Sequence, residues 1–382
     1  MTSAISCAAF PAYERKTHTI IPVYKPSYLP HWLSWKRKVF RVRQGEQDWN
    51  GDTLWVWCYP SFTDEFRQLL LRKCRLQEEE QPLYNFLYGQ NRRTWYYITP
   101  AQVDGSSALD KVTHFCVLLT AKDFNPEKYA AIGRILSRIY GKFGSPVPMV
   151  ETYLSVFTKG TCQSQDNGTF LTSDYDQRNA LMSGSVKDVV LQFRMESVIL
   201  YTALMLKKRI VVYHPKVEAV LEFSRSLPAL VWHRQDWSIL HPYVHLVPEE
   251  IDTLKSTSGY IAGFHEAAVA NRPDLYDVFL NLEENSVSIS HSAKEALTMG
   301  KLHKEFGQLM VQSAEDPDKT EVQVIKDISV KSREILSLLC SVSQQSGDKL
   351  TVNLEQLRQK KFPPATENFL MHLAAAEQML LT

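Results

Sequence analysis

Three histidines, His241, His245 and His265, lie close together in the chain, and His265-Glu266 begins like the metal-binding helix of a zinc peptidase. That chemistry needs a second imidazole one helical turn on, with the glutamate as base. Position 269 is Val, so the second ligand is missing. The histidines are therefore expected to be hydrogen-bonded structural residues, and no metal site is assigned. A phosphate loop of the G-x-x-x-x-G-K-[ST] form does not occur, nor does G-x-G-x-x-G or G-x-S-x-G. No two carboxylates stand out as an acid and a base. No cofactor and no catalytic residue are expected, and the chemistry of this chain is expected to be that of a contact surface.

The elements that must position these residues lie between Ser185 and Glu266. Ser185-x-x-Asp188 places a hydroxyl and a carboxylate where both can satisfy amides at a helix start. Met195 to Leu206 is apolar on nearly every side, which predicts a helix buried all round. Lys207-Lys208-Arg209 ends it with cations, where the macrodipole is negative. Arg209-Ile-Val-Val-Tyr213 is β-branched and aromatic and stops at His214-Pro215, which predicts a short interior strand. Val217, Val220 and Leu221 then repeat at helical spacing. Helix, buried strand and helix in succession predict a parallel α/β sheet.

Ala203-Leu-Met-Leu-Lys-Lys-Arg-Ile-Val-Val-Tyr213, Ser238-Ile-Leu-His-Pro-Tyr-Val-His-Leu-Val-Pro248 and Gly259-Tyr-Ile-Ala-Gly263 together resemble the central block of the DENN-domain family. The resemblance carries over Arg209, Tyr213, His241, Pro242, Tyr243, Gly259 and Gly263 as structural motif residues. His241-Pro242-Tyr243 is expected to fix a turn between strand and loop. The family fold implied is a two-lobed α/β module. It has an N-terminal longin-like α/β domain and a C-terminal α/β DENN domain whose last third is helical. The implied partner is a Rab-family small GTPase seated across both lobes, and the implied activity is often guanine-nucleotide exchange.

Composition sets limits on other functions. At 382 residues with 44% hydrophobic content, the chain can bury two cores without disulfides or metals. Lys plus Arg number 43 against 42 Asp plus Glu, so no basic domain points to nucleic acid. Membrane contact is expected to be peripheral. The six cysteines are scattered with no C-x-x-C pair, which suits a reducing, cytoplasmic compartment. The longest apolar run, around Ser197 to Leu206, is about half the roughly twenty residues that span a bilayer. Pro11, Pro22, Pro26 and Pro30 interrupt the start where a signal peptide needs an unbroken apolar stretch.

In chain order, residues 1–38 are expected to be a poorly structured extension, 39–158 the longin-like domain, 159–184 a polar linker and 185–382 the DENN domain. Val39 to Val42, with a turn at Asn50-Gly51, is the expected first strand. Leu54 to Tyr59, Leu83 to Tyr88, Thr94 to Ile98 and His114 to Leu119 read as further strands, and Arg72 to Glu80 as a solvated charged connection. Asn125-Pro126 starts a helix with a stripe of Ile132, Ile135, Leu136, Ile139, Tyr140 and Phe143. Met149 to Phe157 is expected to be a second helix on the same sheet. Asn167-Gly-Thr169 matches a glycosylation acceptor and is expected to be unused in the cytoplasm. Tyr276 to Leu282 and Ser286 to Ser290 read as a hairpin. Helices follow, broken at Glu315-Asp-Pro-Asp318, and the last is expected from Thr366 to Leu381.

The GTPase-contact candidates face the expected cleft between lobes: Arg92, Arg93, Trp95, Lys122 and Asp123. Lys207, Lys208 and Arg209 are weaker candidates, since helix-end cations account for them. The expected function is exchange on a Rab-family GTPase in late endosomal or secretory traffic. The alternative is a non-catalytic adaptor that receives a helical or coiled-coil complex on its C-terminal helices. A cleft arginine acting as a finger in GTP hydrolysis is a third reading.

Overall fold

The computed structural model describes residues 19–26, 54–58, 61–74, 86–103, 109, 112–164, 168–346 and 349–380. The expected strand at Val39 to Val42, the turn at Asn50-Gly51 and the acceptor Asn167 lie outside them. Among the described residues the fold is mixed α/β, with two five-stranded sheets.

The first sheet is antiparallel in the order β2-β1-β5-β4-β3. Its strands are β1 (Thr19–Pro26), β2 (Leu54–Trp55), β3 (Leu87–Asn91), β4 (Thr94–Gln102) and β5 (Val112–Ala121), with helix α1 (Asp64–Cys74) between β2 and β3. This corrects the reading of residues 1–38, because Thr19–Pro26 supplies an inner strand that pairs Ile20 with Leu119 and Val23 with Trp55. The prolines misled; they remove amide donors, which a strand tolerates where a flank has no neighbour. Among the described residues β2 pairs only with Val23 and Tyr24, so Pro22 is such a place.

Helix α2 (Pro126–Phe143) lies on β4 and β5. The Asn125 side chain accepts from the Lys128 amide at 3.2 Å, and Gly144 closes the helix at φ 61°. The predicted stripe is buried or half-buried as far as Tyr140; Phe143 is instead half exposed. Helix α3 (Pro146–Lys159) packs on α2 and on the hairpin of β6 (Thr161–Ser164) and β7 (Gly168–Leu171). The described residues of 159–184 are therefore folded and not a bare tether. They continue through α4 (Gln177–Met182), bury Phe170 and Ala180, and receive the Asn125 side-chain amide on the Tyr175 carbonyl at 3.1 Å.

The second sheet is built around the predicted helix and strand. Helices α5 (Val186–Phe193) and α6 (Ser197–Met205) lead into β8 (Ile210–Tyr213), followed by α7 (Val217–Ser226), β9 (Leu240–His241), α8 (Pro248–Lys255), β10 (Ile261–Phe264), β11 (Val278–Asn281) and β12 (Ser286–Ile289). The order is β12-β11-β8-β10-β9, parallel throughout except for the β11–β12 hairpin. All four residues of β8 are buried, as a strand covered on both faces requires. On one face Val211, Tyr213, Ala262 and Phe264 pack against Ile251 and Leu254 of α8; the other face joins the main core.

The helices α9 (Lys301–Glu315) and α10 (Glu321–Ser341) cover α5 and α6. A short hairpin, β13 (Gln344–Ser346) and β14 (Lys349–Thr351), then leads to α11 (Leu354–Gln359) and α12 (Pro364–Ala376). The break at residues 315–318 stands where the Pro predicts it, and the last helix stops at Ala376, short of Leu381. The Ser185 hydroxyl caps α5 by accepting from the Asp188 amide at 3.1 Å. The carboxylate that serves the first amides comes from Glu321 of α10, which accepts from Val186 and Lys187, and not from Asp188.

Candidate functional site

Strands β3 and β4 are joined by two residues only, with Asn91 opposite Thr94. Arg92 and Arg93 fill the turn at φ 47° and 62°. Two central residues with positive φ make the turn whose twist matches a hairpin, and Asn-Gly is the sequence that adopts it most cheaply. Here two exposed arginines are held in a conformation costing about 1 kcal/mol or more for each residue with a Cβ. Lys122 follows the end of β5 on the same rim, and its ammonium donates to the Thr94 hydroxyl at 3.0 Å. Three predicted candidates therefore meet at one end of the first sheet.

The other two have internal roles. Trp95 is 4% exposed, and its ring centroid lies 4.6 Å from that of Phe124, which stacks in turn on Trp237 of the second half of the chain. The Asp123 carboxylate accepts from the Tyr129 hydroxyl at 2.8 Å and pairs with Lys128 at 3.6 Å, while its carbonyl accepts from Tyr97 at 2.9 Å. Trp95 is thus a core residue and Asp123 a fastener for α2.

The arginine rim sits against the parallel sheet. Gln90 donates to the carbonyls of Ser238 and Leu240, beside β9, and the Tyr88 hydroxyl donates to the Leu221 carbonyl at 3.1 Å. Arg225 of α7 pairs with Glu127 of α2 at 2.8 Å. Beneath this seam is a buried charge cluster. The ammonium of Lys73, fully buried on α1, donates to Glu250 Oε2 at 2.7 Å and to the Tyr243 carbonyl at 2.8 Å, and lies 4.3 Å from the Tyr243 ring centroid. Burial alone would push the Glu250 carboxyl up; Lys73, with help from His245, holds it down to about 2. Burial pushes Lys73 down, against the pull of Glu250. This corrects the reading of Arg72 to Glu80 as solvated at Lys73 and Cys74; Arg72 is exposed as expected, and 75–80 lie outside the described residues. The missed signal is helical spacing: Leu70, Lys73 and Cys74 form the buried face of α1.

The motif residues hold the frame. Arg209 forms a fork on Asp277, with Nε to Oδ2 at 3.2 Å and Nη2 to Oδ1 at 3.0 Å, and reaches the Asp274 carbonyl at 2.7 Å, which ties the entrances of β8 and β11 together. Lys207 donates to the Ala376 carbonyl of α12 at 2.6 Å, whereas the cation at the last carbonyls of α6 is Arg234, on Leu204 and Met205. Tyr213 ends β8 and is buried. His241 is buried edge-on to Tyr260, and burial pushes its pKa down to about 4. His245 faces Glu250 and the Tyr243 hydroxyl, with its ring 5.3 Å from that of His265. Among the described residues no three His, Cys, Asp or Glu side chains converge to hold a metal ion.

Gly259 and Gly263 are where backbones touch. A Cβ on Gly259 would stand 2.2 Å from the Lys207 carbonyl oxygen, and one on Gly263 would stand 2.3 Å from both the Pro242 carbonyl oxygen and Val220 Cγ1. Pro242 thus closes the turn over β10, where the Val244 amide donates to the Gly263 carbonyl at 2.8 Å. Gly259→Ala is expected to cost about 1–3 kcal/mol, read as a lower urea midpoint at unchanged slope.

A family model described as "SPA: Stabilization of polarity axis" matches residues 183–291. Over most of its length the chain is similar to proteins named DENN domain-containing protein 10. The human one is 64% identical over 337 residues, covering 88% of this chain and 94% of the relative. The chain belongs to the DENN domain-containing protein 10 family. The relative from Danio rerio is 60% identical over 335 residues, 88% of this chain and 96% of its own. That from Dictyostelium discoideum is 33% identical over 349 residues, 87% and 95%. Within this DENN-family chain, residues 183–291 contain the whole parallel sheet and every motif residue from Arg209 to Gly263; Arg92, Arg93 and Lys122 lie outside that span.

Proposed function

We propose that this DENN-family chain is a guanine-nucleotide exchange factor for a Rab-family GTPase of late endosomal or secretory traffic. The chain would be recruited to the membrane as a peripheral protein; no helix among the described residues is long and apolar enough to cross one. The observation that carries the reading is the Arg92–Arg93 turn. Strained backbone at an exposed, doubly cationic tip is a feature that folding alone does not favour, and such outliers gather at contact surfaces. The mechanism is differential affinity: the factor binds the emptied GTPase more tightly than the loaded one. A thousandfold faster release requires about 4 kcal/mol of that preference. Arginine anchors on a rigid seam are suited to supply it.

The test is GDP release from a panel of purified Rabs at micromolar protein. Acceleration on at least one Rab supports the reading, and none across the panel removes it. Arg92→Asn with Arg93→Gly separates fold from function. The double variant is expected to be more stable by about 1–2 kcal/mol, because Asn-Gly relaxes the turn. It is also expected to lose exchange at least tenfold. The adaptor reading rests on Val322 and Val330, both exposed on α10. A stoichiometric complex without a GTPase, undisturbed by the double variant, would favour it.

A further inference from the structure

Helices α2 and α3 form a packed pair joined at Gly144–Ser145. Along α2 the exposed positions are Arg134, Arg138, Lys142 and Phe143, so each turn after the midpoint presents a cation. Along α3 the exposed apolar positions are Val147, Leu154 and Phe157, at 61%, 47% and 56% exposure. Glu151 is the single acidic residue of α3, and Lys159 ends it. At the end of α2 the Lys142 ammonium lies 5.3 Å from the Phe143 ring centroid, four residues before Val147 begins the exposed apolar positions of α3. Leu171 extends the apolar stripe, since the Thr172 amide donates to the Gly160 carbonyl at the end of α3.

Several exposed large apolar side chains on one helix, here interrupted by Glu151 alone among charged residues, mark a surface that is covered in use. What covers it is indicated by the charge beside it. Cations along α2 beside exposed apolar side chains of the α3 packed on it complement an anionic lipid bilayer, with the apolar chains entering the acyl boundary and the ammonium and guanidinium groups meeting the headgroups. The chain as a whole carries only +1, so this attraction is local to the face. We propose that the α2–α3 face is a docking surface for an anionic membrane leaflet.

Co-sedimentation of the full chain with vesicles tests this. Three compositions serve: phosphatidylcholine alone, the same with phosphatidylserine, and the same with a phosphoinositide. Partition is expected on both anionic vesicles and to be weak on the neutral ones. Preference for the phosphoinositide over phosphatidylserine at equal charge would identify headgroup recognition; equal binding would identify surface charge. Both outcomes support the docking face. Leu154→Ser with Phe157→Ser is expected to lower partition about tenfold. Arg134→Glu with Lys142→Glu is expected to lower it by a similar factor and to weaken its salt dependence. All four positions are exposed, so circular dichroism and the urea midpoint should not move. The proposal is overturned if no vesicle is bound, if neutral and anionic vesicles bind alike, or if both variants bind as wild type. A concentration-dependent dimer abolished by the Ser variants, without lipid binding, would also overturn it.

Discussion

Lys73→Met is expected to lower the unfolding free energy by about 3–5 kcal/mol, the usual loss when one member of a buried ion pair is removed and the other is stranded. The cost arises on Glu250, whose carboxylate would remain buried without its cation, and on the Tyr243 carbonyl, which loses the nearer of its donors and keeps the Tyr96 hydroxyl at 3.4 Å. Glu250 also accepts from the His245 amide at 3.1 Å. Replacing it by an apolar residue would therefore orphan that amide, whereas Gln would not. Lys73→Met combined with Glu250→Gln should thus recover a large share of the loss, giving a coupling energy of roughly 2 kcal/mol or more in a double-mutant cycle. A single-variant cost under about 1 kcal/mol in urea denaturation would contradict the buried pair. Its pH window follows from the depressed Glu250 carboxyl. The stabilisation is complete above 4.5, the value in the unfolded chain, and is lost only as pH falls from there towards about 2.

Mild acid acts earlier, through histidine. The fold keeps His241 neutral by burial, with its pKa at about 4 against 6.5 in the unfolded chain. Above pH 6.5 neither state holds the proton and full stability is present. Below 6.5 the unfolded chain takes up a proton that the native state refuses, so stability falls until about pH 4. The shift corresponds to roughly 3 kcal/mol for His241. His303 and the less buried His233, also pushed down to about 4 by burial, add smaller shares in the same direction. Urea midpoints measured from pH 7 to 4.5 should fall, and His241→Asn should flatten the profile by about one proton. A wild-type profile level from pH 7 to 5 would contradict a buried, neutral His241.

Composition and local stop signals revealed the helix and interior strand of the parallel sheet, because the Met195 to Tyr213 segment is buried on nearly all sides and its local preferences agree with its tertiary environment. The helix signals at Asn125, Pro126 and Gly144 are equally local and equally legible. The misread places all depend on distant partners. Lys73 looks solvated until Glu250, far along the chain, is brought beside it; Trp95 looks like an anchor until Phe124 and Trp237 enclose it. The polar composition of residues 159–184 concealed a hairpin and, after it, the Tyr175 carbonyl on which Asn125 is held, and the prolines near the start concealed β1. Of the candidate surface, the exposed Arg92–Arg93 turn was readable from its polarity, but as part of a longer connection over 89–93; that β3 runs on to Asn91 and leaves two residues in the turn was not. The positive φ that makes it notable was not, because arginine gives no sign of that conformation.

The central claim is a preference for an emptied GTPase, and affinity measures it directly. For the Rab that responds in the exchange screen, binding to this chain should be compared by titration calorimetry with the GTPase nucleotide-free and GDP-loaded. A preference on the order of a thousandfold for the nucleotide-free form, reduced at least tenfold by Arg92→Asn with Arg93→Gly, is the result predicted. Equal affinity for the two forms would contradict it.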